Sequence, residues 1–161
     1  MRVGDTMICS FFGHRKVADG LAQVLFRELS AIIETANTDI TFYVGDKGQF
    51  DRLVQMTLAS LKDKHPDIKV YVILDYIPVG YKNYHGLPTL IPETVERAPK
   101  RFAMSYRNRW MINECDLAVV YYYDVTGNTR KHVDMLKRKK KTIINIADMM
   151  PLILDNPSNL C

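Results

Sequence analysis

The chain has 161 residues, of which 47% are hydrophobic and 25% are charged, and these values are typical of one folded domain with its own core. The net charge of +4 favours anionic partners only slightly. The three cysteines form an odd set without C-x-x-C spacing, which argues against a disulfide framework or a structural zinc site and favours a cytoplasmic location. No run approaches the roughly 20 apolar residues that a membrane-spanning helix needs, and no signal peptide is expected.

Apolar runs and helical stripes alternate along the chain. In chain order, the patterns predict a strand at 7–12, a helix at 17–35, a strand at 41–44, a helix at 49–64, a strand at 69–77, a helix at 99–114, a strand at 116–123, a helix at 129–140 and a strand at 142–146. This alternation predicts an α/β fold with a Rossmann-like, open, mostly parallel sheet of about five strands and helices on both faces. We expect a single domain over residues 1–161, with a short tail at 149–161.

Residues 78–99 are the least regular part of the sequence and contain four of its seven prolines. A loop of this length is long for a compact domain, and such loops are often lids or binding loops. We therefore regard residues 78–99 as a candidate lid, with a short helical turn across 93–97.

In open α/β sheets, ligands bind beyond the carboxyl ends of the strands, where the strand order switches. The turn after the first predicted strand contains Gly13, His14 and Arg15. Gly13 allows close approach, Arg15 can hold a phosphate through two hydrogen bonds, and His14 can bond a base or ribose or transfer a proton. In the alternative interpretation, His14 caps the turn and Arg15 is solvated.

The second turn leads from a strand directly into a helix. It holds four candidate ligand-binding residues: Gly45, Lys47, Gly48 and Gln49. Its backbone N–H groups can cradle an anion at the positive end of the helix dipole, although a plain strand-to-helix connection is the alternative. Asp51 is assigned to the helix itself, as a cap or as a favourable partner of the dipole.

Two further positions at this edge are candidates for ligand binding. Arg107 and Asn108 share a helix side with apolar residues at i, i+3 and i+4 spacing, so they either face a ligand or stabilise the fold. Gly127, Asn128 and Thr129 begin a helix after the fourth predicted strand and form a second potential anion site, unless they are a simple turn with Thr129 as its cap.

The four histidines are scattered without short spacing, so a metal site is not expected. No cofactor is expected either. The basic run at 137–141 ends a predicted helix, where the dipole favours positive charge, and it lies at the edge opposite the candidate site. We therefore do not expect nucleic acid or a membrane as a partner, and a homo-oligomer is compatible with the sequence.

Several motifs together resemble the SLOG superfamily, most closely its small stand-alone bacterial and phage-borne proteins. The motifs are Cys-Ser-Phe-Phe-Gly-His-Arg at 9–15, Thr-Phe-Tyr-Val-Gly-x-x-Gly-Gln-Phe-Asp at 41–51, Pro-x-Arg-Phe-Ala-x-x-Tyr-Arg-Asn-Arg-Trp-Met-Ile at 99–112 and Cys-Asp-Leu-Ala-Val-Val-Tyr at 115–121. The resemblance covers residues 7–147 and implies a Rossmann-like fold that binds a nucleotide or a nucleotide-derived ligand. It implies that the following residues line the site: Gly13, His14, Arg15, Gly45, Gly48, Arg107, Asn108, Gly127 and Thr129.

The superfamily includes DNA-processing proteins and the Lonely Guy phosphoribohydrolases, and the chain departs from the second group. That group carries Pro-Gly-Gly-x-Gly-Thr-x-x-Glu after the fourth strand, whereas residues 125–132 lack the double glycine and place His132 at the position of the glutamate. Glu93, Glu96 and His14 are the remaining catalytic candidates, because a carboxylate can support the oxocarbenium-like state of N-glycosidic cleavage. In the alternative, the two glutamates are ordinary residues of a surface turn.

The patterns and the resemblance together suggest three functions. The first is binding of a small nucleotide or nucleotide derivative at the carboxyl edge of the sheet, with sensing as one role. The second is hydrolysis of the N-glycosidic bond of a nucleoside monophosphate. The third is binding of single-stranded nucleic acid.

Overall fold

One parallel sheet organises the protein. The computed structural model describes residues 5–123 and 127–150, and in this part six strands pair in the order β4-β3-β2-β1-β5-β6, each pair being parallel. The strands are β1 (Met7–Gly13), β2 (Ile40–Val44), β3 (Lys69–Ile73), β4 (Thr89–Leu90), β5 (Leu117–Tyr121) and β6 (Thr142–Asn145). The sixth strand, beyond the five predicted, is the two-residue β4, which lies inside the segment predicted to be irregular.

Helices cover both faces of the sheet, which confirms the predicted fold class. They are α1 (Leu21–Thr35), α2 (Gly48–Lys64), α3 (Glu93–Glu96), α4 (Ala103–Glu114) and α5 (Asn128–Arg138), with short 3₁₀ helices at Lys100–Phe102 and Ile146–Met149. On one face, α1 and α2 bury Leu25 and Leu58 against Phe42 of the sheet. On the other, α4 and α5 bury Met111 and Leu136. Burial on both faces explains why the strands read as nearly continuous apolar runs.

Several predicted boundaries are corrected by contacts between distant parts of the chain. The helix expected from residue 17 begins at Leu21, because Gly20 has a φ of 87° and the amides before it have other acceptors. Val17 N–H donates to Gln49 Oε1 at 3.0 Å and Ala18 N–H donates to Tyr121 Oη at 3.2 Å. The strand predicted to reach residue 77 ends at Ile73, where its edge partner β4 also ends. Residues 14–20 therefore stay outside α1 as a loop beyond the end of β1.

The strand order places a switch point at β1. From β1 the chain proceeds through β2 and β3 to β4 on one side, and it then crosses to β5 and β6 on the other side. The carboxyl ends of β1 and β5 are in register, since Gly13 pairs with Tyr121. Loops that diverge from two such strands leave a crevice between them, and this crevice is the usual ligand position in open α/β sheets.

The described residues contain no helix that is long and apolar enough to cross a membrane.

Candidate ligand-binding site

A cavity of about 230 Å³ opens at the switch point, beyond the ends of β1 and β5. We call it the switch-point cavity. Nine of the predicted ligand-binding residues line it: Gly13, His14, Arg15, Gly45, Lys47, Arg107, Asn108, Asn128 and Thr129. Turns that are far apart in the sequence thus meet at one place, beyond the carboxyl ends of the strands, as predicted.

Other predicted residues lie elsewhere. Gly48 and Gln49 line a neighbouring surface depression of about 480 Å³, together with Arg52, Lys82 and Tyr84. We call it the loop depression. Arg15 borders both spaces. Gly127, at the start of α5, is exposed and lines neither of them.

The two catalytic candidates of the irregular segment are not brought to the cavity. Glu93 and Glu96 are exposed on α3 and do not line the switch-point cavity. Glu93 instead pairs with Arg97, one turn later, at 2.6 Å. The structure therefore gives these carboxylates no position from which to act on a ligand in the cavity.

Arg107 is the buried cation of the site, with 3% of its surface exposed. Its Nη1 donates to Asp46 Oδ1 at 2.8 Å, and its Nε and Nη2 donate to Asn108 Oδ1 at 3.3 and 3.0 Å. A buried arginine needs such partners because desolvation of an unpaired charge is costly. Arg107 thus ties α4 to the turn after β2, and Asn108 is a second acceptor for its guanidinium. Both residues line the cavity, and a contact with a ligand stays a prediction.

Glycine is required at position 45 by close approach. A Cβ atom there would lie 2.6 Å from Asp51 Oδ2 and 3.2 Å from Arg107 Nη2. No side chain fits between these two charged groups without displacing one of them. Gly45 therefore serves the packing of the site's own side chains.

The amides of the second turn are partly occupied, which corrects the prediction of an external anion cradle at this turn. Lys47 N–H donates to Asp51 Oδ2 at 3.0 Å, and Gln49 N–H donates to the Arg15 carbonyl oxygen at 2.7 Å. The chain's own carboxylate thus lies at the positive end of α2. The Lys47 and Gln49 amides, which were predicted to bind an external anion, therefore donate their hydrogen bonds within the protein.

Asp51 accepts the hydrogen bond from Lys47 N–H at the start of α2, as expected of a capping carboxylate, and it also lines the cavity. Burial raises the pKa of its carboxyl from 3.8 to about 6, even though Arg107 and the Lys47 amide favour the charged form. Sequence reasoning left Asp51 with its helix. The available signal was its place on the inward stripe of α2, one turn before the buried Val54 and Gln55.

His132 lines the same cavity from α5, with its ring centroid 5.4 Å from that of Phe12. Burial lowers the pKa of its imidazole from 6.5 to about 4, and the charges of Arg107 and Lys131 act in the same direction. The residue at the position of the hydrolase glutamate is therefore neutral at pH 7. It can accept or donate a hydrogen bond there, but it does not supply a negative charge.

Lys47 and Arg15 are cations of different kinds. Lys47 Nζ lies 3.5 Å from Asp46 Oδ1 and 3.3 Å from Asp75 Oδ1. Burial alone would lower the pKa of Lys47, but these two carboxylates raise it above its usual value. Arg15 is exposed, and its guanidinium has no ion pair within residues 5–123 and 127–150. Arg15 is thus available to an incoming anion.

His14 connects the two loops of the switch point. Its Nε2 accepts a hydrogen bond from Tyr123 N–H at 3.2 Å, and its ring centroid lies 4.5 Å from that of Tyr123. An imidazole nitrogen that accepts a hydrogen bond carries no proton. His14 therefore holds the start of the loop after β5 against the loop after β1, and it lines the cavity at the same time.

The fold is similar to that of two solved structures of DNA processing protein A. The X-ray structure of the Streptococcus pneumoniae protein matches with a TM-score of 0.62 and 14% identity, over 86% of this chain and 49% of that chain. The Helicobacter pylori protein, described by its single-stranded DNA binding mode, matches with a TM-score of 0.61 and 13% identity, over 85% of this chain and 63% of that chain. This chain thus spans about half of the first protein and less than two thirds of the second.

At these identities the likeness concerns the fold alone. It confirms the Rossmann-like fold implied by the resemblance to the SLOG superfamily, which includes DNA-processing proteins. No protein-family model matches the sequence, and no curated protein matches it either.

One expectation is overturned by this comparison. Nucleic acid was not expected as a partner, but a protein of similar fold is described by how it binds single-stranded DNA. The expectation rested on the mild net charge of +4 and on the position of the basic run at 137–141 at the opposite edge. It did not combine Arg15 with Arg52 and Lys82, which line the same depression.

Proposed function

We propose that the carboxyl edge of the sheet binds single-stranded nucleic acid, with one sugar-phosphate unit at the switch-point cavity. The observation that carries the proposal is the position of Arg15. This exposed arginine borders both the cavity and the loop depression, and a guanidinium binds a phosphate through two parallel hydrogen bonds. The similar fold of a protein described by its single-stranded DNA binding mode supports the same assignment.

The size of the cavity favours a chain of nucleotides over one enclosed nucleotide. Pockets for small molecules have volumes of roughly 300–1,000 Å³, whereas the switch-point cavity has about 230 Å³. It accommodates a phosphate or sugar-phosphate group and leaves the remainder of the ligand outside. The adjoining loop depression, with Arg52 and Lys82, offers space and charge for the next unit.

Exposed aromatic rings lie beside these cations. Tyr76 and Tyr81 follow β3 and are exposed, and Lys47 Nζ lies 4.6 Å from the centre of the Tyr76 ring. Single-stranded nucleic acids are commonly held by cations that follow the backbone and by aromatic rings that stack on bases. Exposed tyrosines at this edge therefore suit a strand, and a cytoplasmic location, expected from the cysteines, agrees with such a ligand.

Fluorescence anisotropy with a labelled oligodeoxythymidylate tests the proposal. The wild type should bind, and its affinity should fall steeply as salt increases, because phosphate contacts release counterions. Arg15→Ala should weaken binding and flatten the salt dependence. Arg138→Ala, which removes an exposed arginine at the opposite end of α5, is the matched control and should bind as the wild type does. Absence of wild-type binding at low salt, or equal effects of the two substitutions, would contradict the proposal.

A second candidate function is supported by the carboxyl group inside the cavity. Asp51, with its pKa raised to about 6 by burial, is a better placed acid or base for an N-glycosidic hydrolase than Glu93 or Glu96. Chromatography of nucleoside monophosphates incubated with the protein would detect the released base. Release that is lost in Asp51→Asn but kept in Glu93→Gln would favour this candidate, and absence of release would remove it.

A further inference from the structure

A second pocket is lined by later residues of the loop that follows β1. It has a volume of about 450 Å³, which is within the range of roughly 300–1,000 Å³ found for small-molecule pockets. We call it the tyrosine pocket, and its walls are mainly apolar: Lys16, Val17, Tyr121, Tyr123, Ala147 and Met150. Neither the sequence patterns nor the switch-point cavity accounts for it.

Tyr121 forms a fixed wall of this pocket. The residue is 2% exposed, and its ring stacks on Phe50 with centroids 5.8 Å apart and planes inclined by 20°. Its hydroxyl oxygen accepts a hydrogen bond from Ala18 N–H at 3.2 Å. The hydroxyl and one face of the ring are thus engaged by the protein, so Tyr121 provides a rigid surface.

Tyr123 is held differently. Its ring lies edge-on to Tyr121 at 5.3 Å and edge-on to His14 at 4.5 Å, and its backbone N–H donates to His14 Nε2. The residue is nevertheless 62% exposed. An aromatic ring that is oriented by its neighbours but still open to solvent can stack on a planar ligand with little loss of side-chain freedom.

The cations of the loop indicate which planar ligand fits. Lys16 lines the tyrosine pocket, whereas Arg15, the preceding residue, lines the switch-point cavity. The Cα atoms of adjacent residues are about 3.8 Å apart, so one loop presents a cation to each space. A ligand with a negative charge on one side and a flat apolar ring on the other matches this arrangement.

We propose that the tyrosine pocket binds a nucleobase of the strand whose phosphate lies at Arg15. The base stacks on the exposed face of Tyr123, against the wall formed by Tyr121, and Lys16 accompanies the backbone at the rim. This inference rests on the proposed function, and it adds that the protein contacts bases as well as phosphates. Because an aromatic ring can stack on any base, the pocket contributes affinity without strict sequence specificity.

The test compares two probes of equal length: an oligodeoxythymidylate and an abasic deoxyribose-phosphate oligomer. The wild type should prefer the first. Tyr123→Ala should weaken oligodeoxythymidylate binding by about 5- to 150-fold, the range for loss of one stacked base, and should leave binding of the abasic oligomer unchanged. Tyr123→Phe keeps the ring and should behave as the wild type. Tyr106→Ala, which removes an exposed tyrosine on α4 that lines neither this pocket nor the switch-point cavity, is the matched control and should retain the wild-type preference.

Each other outcome has a distinct meaning. Equal wild-type affinity for the two probes would overturn the base pocket but leave phosphate binding at the carboxyl edge in place. Equal weakening of both probes by Tyr123→Ala, or no weakening of either, would also overturn it and indicate that the pocket has another occupant, such as a different segment of the protein. A wild type that binds neither probe at low salt would remove the proposed function and the base pocket together.

Discussion

At the scale of single residues, the ion pair between Arg107 and Asp46 holds the site together. Their 2.8 Å ion pair joins α4 to the turn after β2, and both side chains are almost completely buried. Removing one partner of a buried pair leaves the other charge without compensation. The pair therefore stabilises the fold and fixes the shape of the cavity at the same time.

Arg107→Met should lower the free energy of unfolding by about 3 kcal/mol, the lower end of the range for a broken buried pair. The lower end is expected because Lys47 Nζ, 3.5 Å from Asp46 Oδ1, partly compensates the remaining carboxylate. Urea unfolding measures the change. Arg109→Met, on the exposed side of the same helix, is the control and should change stability little. A loss in Arg107→Met no larger than in this control would contradict the role of the pair.

Asp51 and His132 should give opposite pH dependences of stability. The folded chain binds the Asp51 proton more tightly than the unfolded chain, since the pKa rises from 3.8 to about 6, so this contribution is lost as pH rises through that window. The pKa of His132 falls from 6.5 to about 4, so the unfolded chain binds its proton more tightly and stability increases with pH over the same window. In the wild type the two contributions partly cancel.

Urea unfolding between about pH 4 and pH 6.5 separates the two residues. Relative to the wild type, the stability of Asp51→Asn should increase more with pH, because only the His132 contribution remains. The stability of His132→Asn should increase less with pH, or decrease. Profiles that run parallel in all three proteins would show that neither residue titrates differently on folding.

For single residues, the sequence indicated which residues line the cavity better than it indicated which side chains contact each other. Gly13, Arg15 and Asn128 were recognisable because each follows the end of a strand. The partnership of Arg107 with Asp46 spans 61 positions, and local spacing contains no information about it. Asp51 was assigned to its helix because a capping carboxylate and a cavity carboxylate have the same local pattern.

At the scale of elements, the turn between β2 and α2 is set by tight packing. Gly45→Ala would place a methyl group 2.6 Å from Asp51 Oδ2, and overpacking of this kind costs about 1–3 kcal/mol. Urea unfolding should show this loss in the wild-type background and a clearly smaller loss in the Asp51→Ala background, where the closest contact is absent. Equal losses in the two backgrounds would exclude this contact as the cause.

The predicted start of α1 was wrong for a physical reason that local periodicity does not describe. The periodicity of α1 predicted a start at residue 17, but long-range acceptors, Gln49 Oε1 and Tyr121 Oη, take the amides of Val17 and Ala18. Local patterns describe which side chains suit a helix, and they do not describe competing acceptors from other elements. Residues of this loop line both the switch-point cavity and the tyrosine pocket.

At the scale of the whole molecule, the class of the fold followed from the alternation of strands and helices, whereas the strand order did not. Parallel pairing of β1 with both β2 and β5 depends on contacts across the whole chain, so periodicity cannot supply it. The strand order is what makes the separate turns meet at β1. Without it, the sequence suggested a shared pocket but could not show that residues 13–15 and 128–129 line one cavity.

Backbone NMR of the ¹⁵N-labelled protein during titration with an oligodeoxythymidylate tests the central claim most directly, because it locates the ligand. We predict that amide shifts change at the carboxyl edge, around Gly13, Arg15, Lys47 and Thr129. The opposite edge, around Pro66 and Lys141, should remain unchanged and serves as the internal control. Shift changes confined to the opposite edge, or no changes at low salt, would contradict the proposal that the carboxyl edge binds single-stranded nucleic acid.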